Sequence, residues 1–167
     1  VIYAGSDSVQ TATRVWFTFD YLSLRAKLLD GGLAAWRAKG LPLSAEVPNP
    51  APATQLSVKA RPEIVVDAQW LKDHLQDSGL RLIDARLPEF YSGADPGQFA
   101  RGGHIPGALN HPFPSWLAPD KTFLPKDVVA TRLSGADTIV TYCHIGMQAT
   151  VPYFAARLAG KQAKLYD

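Results

Sequence analysis

The chain has 167 residues, 47% of them hydrophobic and 19% charged, which is enough apolar mass for a packed core and too little charge for a disordered segment. Its net charge of +2 comes from scattered Lys and Arg, so neither nucleic acid nor a membrane is an expected partner, and no apolar run approaches the roughly eighteen residues of a membrane helix. One cysteine forms no internal disulfide, and one thiol with four dispersed histidines offers no metal-ligand spacing, so no metal or cofactor is expected. Nothing then requires an oxidising compartment; the cytoplasm is favoured over the periplasm, and the compartment stays open. No stretch resembles a signal peptide, although the opening Val1 leaves room for a removed leader or an upstream piece.

In chain order, Val1 to Tyr3 reads as a strand, about Thr11 to Leu24 as a helix, Ala26 to Asp30 as a strand and "GLAAWRAK" as a helix closed by Gly40 and Pro42. The Pro- and Ala-rich "LPLSAEVPNPAPATQLSVKARPE" lacks periodicity and holds a linker over residues 45–59. Asp67 is a natural N-cap for a helix carrying Trp70, Leu71 and Leu75 on one side. "LRLIDA" is a short buried strand, "GHIPGALNHP" is rich in turns, and Pro125 to Leu133 is helical. The apolar run Thr138 to Tyr142 stops at Cys143, a mixed loop follows, and Ala149 and Thr150 open another helix. Strands alternating with helices, through connections too long for hairpins, predict an α/β fold with a largely parallel sheet flanked by helices on both faces.

Part of the chain repeats itself. "VIY" at the start echoes "VTY" at 140, Ala12 and Thr13 echo Ala149 and Thr150, Phe17 echoes Phe154, and "KLLD" at 27 echoes "KLYD" at 164. The offset is constant from Ala12 to Asp30; before that, the first copy carries two extra loop residues. Residues 1–44 therefore read as the C-terminal part of one unit. Residues 60–167 read as a second unit lacking its last helix, since it stops where the first copy continues into "GGLAAWRAKG".

In a parallel sheet, ligands bind beyond the carboxyl ends of the strands, where Cys143 is expected. Gly146 permits a tight turn, so that backbone N–H groups from His144 to Gln148 form a nest backed by the positive end of the next helix. Such a cradle stabilises a thiolate and makes Cys143 a nucleophile without a metal or an adjacent base. The plainer reading is a small buried hydrophobe. A cysteine phosphatase would need an arginine at the sixth position after the cysteine to grip a phosphate dianion, and Ala149 stands there. Sulfur transfer through a persulfide needs no such group.

"LIDAR" (82–86), "PEFYSG" (88–93), "GHIPGA" (103–108) with Asn110, "CHIGMQAT" (143–150) and "GGLAAWRAKGLPLS" (31–44) together resemble the tandem-domain rhodaneses, the thiosulfate and 3-mercaptopyruvate sulfurtransferases. The similarity runs along nearly the whole chain. It implies the rhodanese-like α/β fold, a nucleophile at Cys143 and a cradle of His144, Ile145, Gly146, Met147 and Gln148. It also implies that the first unit is an inactive copy, with Ala4, Gly5, Ser6 and Asp7 where a nucleophile would stand. Three departures bear on the donor. Ile145 occupies a position that is often cationic in thiosulfate-type enzymes, Phe90 one that is arginine in many tandem members, and "CHIGMQ" differs from the small Ser-containing loop usual in the mercaptopyruvate type.

The expected activity is transfer of a sulfane sulfur from thiosulfate or a similar small anionic donor, with 3-mercaptopyruvate as the alternative, to cyanide or a thiol through a persulfide on Cys143. A non-catalytic rhodanese-like module that binds a partner protein is the other reading. Arg86, after a strand ending on the same edge as Cys143, either holds the anionic donor or pairs structurally with Asp84 or Glu89. Arg101 in "GQFARGG" is a similar candidate. His144 is expected to point to solvent while its backbone serves the nest, with proton transfer as the other option. His104 reads as a structural residue of a turn, and the four tryptophans as packing residues.

Overall fold

Five short runs rich in β-branched and apolar residues pair side by side in the computed structural model, which describes residues 1–5, 8–47, 49, 52 and 55–167. They are β1 (Val65–Val66), β2 (Leu80–Asp84), β3 (Leu109–Asn110), β4 (Thr138–Tyr142) and β5 (Gln162–Tyr166), in the order β1-β5-β4-β2-β3 with every pair parallel. The register aligns Asp84 with both Tyr142 and Asn110, so the loops after β2 and β4 leave from one edge. The helices are α1 (Val9–Tyr21), α2 (Gly32–Ala38), α3 (Ala68–His74), α4 (Pro88–Ser92), α5 (Lys126–Arg132) and α6 (Thr150–Leu158).

Alternation along the strands sorts two apolar layers. Ile83, Ile139 and Leu165 face Val129 and Leu133 at α5 and Val151 and Ala155 on α6. Leu82, Val140 and Tyr142 face the other way, toward Leu71 of α3 and Tyr91 of α4. The expected α/β architecture, with helices on both faces of a parallel sheet, is therefore the observed one. Asp67 caps α3 as its sequence predicts, its Oδ1 accepting from Trp70 N at 2.7 Å.

Two boundaries differ from expectation. The first helix spans Val9–Tyr21, not residues 11–24, because Ser23 takes a left-handed φ of 57° and ends it. The strands expected over residues 1–3 and 26–30 contract to one parallel bridge between Ile2 and Leu28. The described residues of the 45–59 segment carry no helix or strand.

The repeated residues meet one another. Ile2 pairs with Leu28 as Thr141 pairs with Leu165, the same register in both copies. On α1 and α6, Thr13 and Thr150 occupy equivalent positions and share a hydrogen bond of 2.8 Å, fully buried. Trp16 meets Phe154 edge-on at 4.8 Å and Phe17 meets Tyr153 edge-on at 4.9 Å, and each contact is the other with the copies exchanged. This reciprocity is the mark of a two-fold contact. Asp20 closes the helix pair: it binds Arg61 at 2.6 Å, accepts from the Tyr153 hydroxyl at 2.8 Å and lies 3.4 Å from Arg157.

Phe17 is 5% exposed and belongs to the same core as α6 and β5. Phe17→Ala should cost about 3–5 kcal/mol, read as a lower urea midpoint with an unchanged slope. A loss below about 1 kcal/mol would mean that α1 rests on the surface of α6 and β5 and shares no core with them.

Candidate functional site

Cys143 follows β4 directly, at the carboxyl edge of the sheet, and its side chain is partly exposed. Gly146 takes φ 70°, a left-handed turn that favours glycine, and the Asp167 carboxylate and the Arg14 guanidinium lie against the side where a Cβ would stand. The carbonyls of residues 146–149 are occupied. Gly146 O receives Arg14 Nη1 at 3.5 Å, and Met147 O receives the Thr150 hydroxyl at 2.7 Å. Gln148 O receives Val151 N at 3.1 Å, and Ala149 O receives the Thr141 hydroxyl at 2.9 Å and Tyr153 N at 3.2 Å. Among the described residues, no N–H from His144 to Ala149 finds a protein acceptor. A loop with its oxygens tied down and its amides open is an anion cradle.

Arg86 lies just beyond β2, 9% exposed, and its guanidinium is largely committed. Nε sits 2.9 and 3.0 Å from the two Asp84 oxygens, Nη2 donates to Asp84 at 2.6 Å and to Gly103 O at 2.7 Å, and Nη1 meets His144 Nε2 at 3.1 Å. A guanidinium only donates, so Nε2 accepts and the neutral imidazole carries its proton on Nδ1. Arg86 thus reaches the loop through the His144 side chain. His144 differs from the expectation that it points to solvent. Phe99 stacks on it at 4.8 Å and Phe90 meets its edge at 5.0 Å, since a flat, partly apolar ring fills the space between two phenyls better than water does. Burial, reinforced by the Arg86 charge, holds its pKa below the ordinary value, against weaker opposition from Asp84 and Asp95.

Cys143, His144, Ile145, Met147 and Gln148 line one cleft of about 520 Å³, completed by Gln10, Phe90, Phe99 and the 97–98 turn. Gly146 is buried behind it and Ile145, 71% exposed, stands at its mouth. Arg101 is exposed and outside the lining. His104 bonds to Tyr91 O at 2.7 Å and stacks on the Tyr91 ring, a structural role. Of the first copy's loop, Ala4 and Gly5 are described, while Ser6 and Asp7 lie outside the described residues. Sequence reasoning missed Gln10 and Phe99. Gln10 lies on α1 ahead of the segment over which the repeat offset is constant, so no local signal marked it; Phe99 sits in a segment weighed only for its arginine.

Among the described residues, no cluster of His, Cys, Asp and Glu is placed to hold a metal ion, and no helix is long and apolar enough to cross a membrane. The family model for the rhodanese-like domain matches residues 67–167. The chain belongs to the rhodanese-like family. A probable 3-mercaptopyruvate sulfurtransferase from Pseudomonas aeruginosa is 36% identical to this rhodanese-like chain over 160 residues, covering 89% of it and 55% of that protein. A thiosulfate sulfurtransferase from Azotobacter vinelandii is 29% identical over 165 residues, covering 96% of the chain and 60% of that protein. The rhodanese-like chain thus spans little more than half the length of these relatives. In structure it resembles an anaerobic ergothioneine biosynthesis enzyme from Chlorobium limicola in complex with trimethyl histidine, with a TM-score of 0.78 at 22% identity over 95% of this chain and 41% of that one, a likeness of fold.

The depressed His144 pKa has a definite pH signature. The folded imidazole binds a proton more weakly than the unfolded one, so its contribution to stability is fully present above about pH 6.5 and is lost as pH falls through the folded-state value. A side-chain NMR titration should place the His144 midpoint below 6.5, moving up in Phe99→Ala as water enters. A midpoint at or above 6.5 in the parent protein would contradict the clamped, neutral ring.

Proposed function

We propose that this rhodanese-like chain is a sulfurtransferase that carries a sulfane sulfur on Cys143. The observation that supports it most is the loop after β4, whose carbonyls at residues 146–149 are held by Arg14, Thr141, Thr150 and backbone N–H groups while, among the described residues, the amides from His144 to Ala149 stay open. Similarity to named 3-mercaptopyruvate and thiosulfate sulfurtransferases supports the same class.

In the first half-reaction the Cys143 thiolate attacks the outer sulfur of the donor. A bond forms between Sγ and that sulfur, the bond to the donor's remainder breaks, and its electron pair departs with the remainder: sulfite from thiosulfate, or pyruvate from 3-mercaptopyruvate after one proton is taken up at carbon. The persulfide anion rests against the open amides, which carry fixed positive dipole ends and need no reorganisation to receive it. In the second half-reaction a thiolate or cyanide attacks the terminal sulfur, leaving as a new persulfide or thiocyanate and returning the Cys143 thiolate. Ile145, Gly146, Met147 and Gln148 shape and supply the cradle. Arg86, through Nη1, fixes the ring of His144 and with it the start of the loop. Residues 45–59 are the linker, residues 60–167 the catalytic unit, and residues 1–44 part of a second copy without a thiol that supports the first.

Intact mass after brief incubation with thiosulfate, and in parallel with 3-mercaptopyruvate, tests this reading. One added sulfur that cyanide removes, absent in Cys143→Ser, is the expected result. A folded protein that takes sulfur from neither donor would return the reading to a non-catalytic binding module.

A further inference from the structure

Met147 O is held chiefly by a side chain. Its short bond comes from the Thr150 hydroxyl at 2.7 Å, and the backbone donor that faces it, Thr150 N, stands at 3.3 Å. Gln148 O and Ala149 O, by contrast, each receive a backbone N–H, at 3.1 and 3.2 Å. Across a trans peptide the N–H points opposite to the C=O, so whatever holds Met147 O also aims the N–H of Gln148, one of the open amides of the loop. Thr150 lies outside the lining of the cleft and is fully buried, as is its partner Thr13 on α1.

Counting protons gives the pair a direction. Each hydroxyl has one proton to donate. Three contacts compete for the two protons: Thr13 Oγ1 to Gln10 O at 3.1 Å, Thr13 Oγ1 to Thr150 Oγ1 at 2.8 Å, and Thr150 Oγ1 to Met147 O at 2.7 Å. If both hydroxyls turned to their carbonyls, two buried oxygens would face each other at 2.8 Å with no proton between them. If Thr150 donated to Thr13, Met147 O would lose its short bond. One arrangement keeps a proton in both short contacts: Thr13 donates to Thr150, and Thr150 donates to Met147 O. It leaves out Gln10 O, the longest of the three contacts, which lies in α1 where the helix ladder supplies a backbone donor.

We infer that Thr150 is a positioning residue for sulfur loading at Cys143 and that Thr13 directs it, a role that rests on the reading of Cys143 as the sulfur acceptor. The hydroxyl chain runs from α1 through Thr13 and Thr150 to Met147 O and sets the amide that Gln148 offers to the persulfide. Each bond in such a chain polarises the next, so the Thr13 proton strengthens the hold of Thr150 on the loop. Neither threonine touches the donor. Their effect is on the rate of sulfur transfer, through an amide aimed in advance, and little on donor binding.

The test is the single-turnover rate of sulfur uptake on Cys143, followed by intact mass with thiosulfate and with 3-mercaptopyruvate. Thr150→Val keeps the shape of the side chain and leaves Thr13 free to donate to Gln10 O. It should lower the maximal rate about tenfold, less than the loss of a deleted donor because the amide is turned and not removed, while the half-saturating donor concentration changes less than about twofold. Thr150→Ser keeps the hydroxyl and gives up a buried methyl, so it should be less stable than the parent yet load within about twofold of its rate. Thr13→Val should slow loading a few-fold by itself and not at all when added to Thr150→Val, since the two act through one chain. Parent-rate loading by Thr150→Val would overturn the role, and so would a Thr150→Ser as slow as Thr150→Val or effects of the two threonines that multiply. Should Thr150→Val fail to fold, Thr13→Val decides alone, and parent-rate loading by it would overturn the role. Each of these leaves sulfur transfer by the parent intact; no uptake from either donor by folded parent protein would remove the sulfur-transfer reading and this role together.

Discussion

A peptide unit is planar and trans, so an amide whose oxygen is tied down on one side presents the next N–H on the other. The loop after β4 applies this rule several times in succession. Arg14, Thr150, Val151, Thr141 and Tyr153 hold the oxygens of residues 146–149, and the N–H groups of residues 147–149 are thereby turned the opposite way. Glycine at 146 is part of the same constraint, since its left-handed φ reverses the chain and its missing Cβ admits Asp167 and Arg14 behind the loop. The cradle is a consequence of what surrounds the loop as much as of the loop itself.

That dependence reaches into α1. Arg14 and Gln10 both belong to α1, which packs on α6 through equivalent residues of the repeat. Thr150 illustrates the economy of the arrangement: its hydroxyl meets Thr13 across the two-fold contact and also holds Met147 O in the loop. We propose that the copy without a thiol persists because it positions the loop of the other. A helix pair that is both core and second support for the cleft also couples stability to the site, so damage at α1 should be felt at Cys143.

Local features of the fold are legible in the amino-acid sequence. The short apolar runs in "TIVTY" and "LRLID" report buried strands, Asp67 announces a helix start, and a thiol placed where an apolar run ends and a helix begins sits at the sheet edge that binds ligands. The echo between "KLLD" and "KLYD" identifies the related segments. What escaped is whatever depends on two segments distant in sequence coming together. His144 has no local reason to be clamped; Phe90, Phe99 and Arg86 reach it from elements more than forty residues earlier in the chain. Gln10 comes from α1, far earlier in the chain. For Arg86 the sequence leaves two readings open, a donor-binding cation or a structural pair, because "DAR" does not show which way the guanidinium folds, and the bidentate geometry to Asp84 is the pair.

We propose that the open amides of the loop after β4 receive the sulfur carried by Cys143. Backbone ¹H–¹⁵N spectra of the labelled chain, taken before sulfur loading, after it and again after cyanide, address this directly. The amide resonances of residues 144–149 should move on loading, return with cyanide, and move far more than those of the outer helices. A sulfur verified by mass on Cys143 that leaves those amides where they were would contradict it.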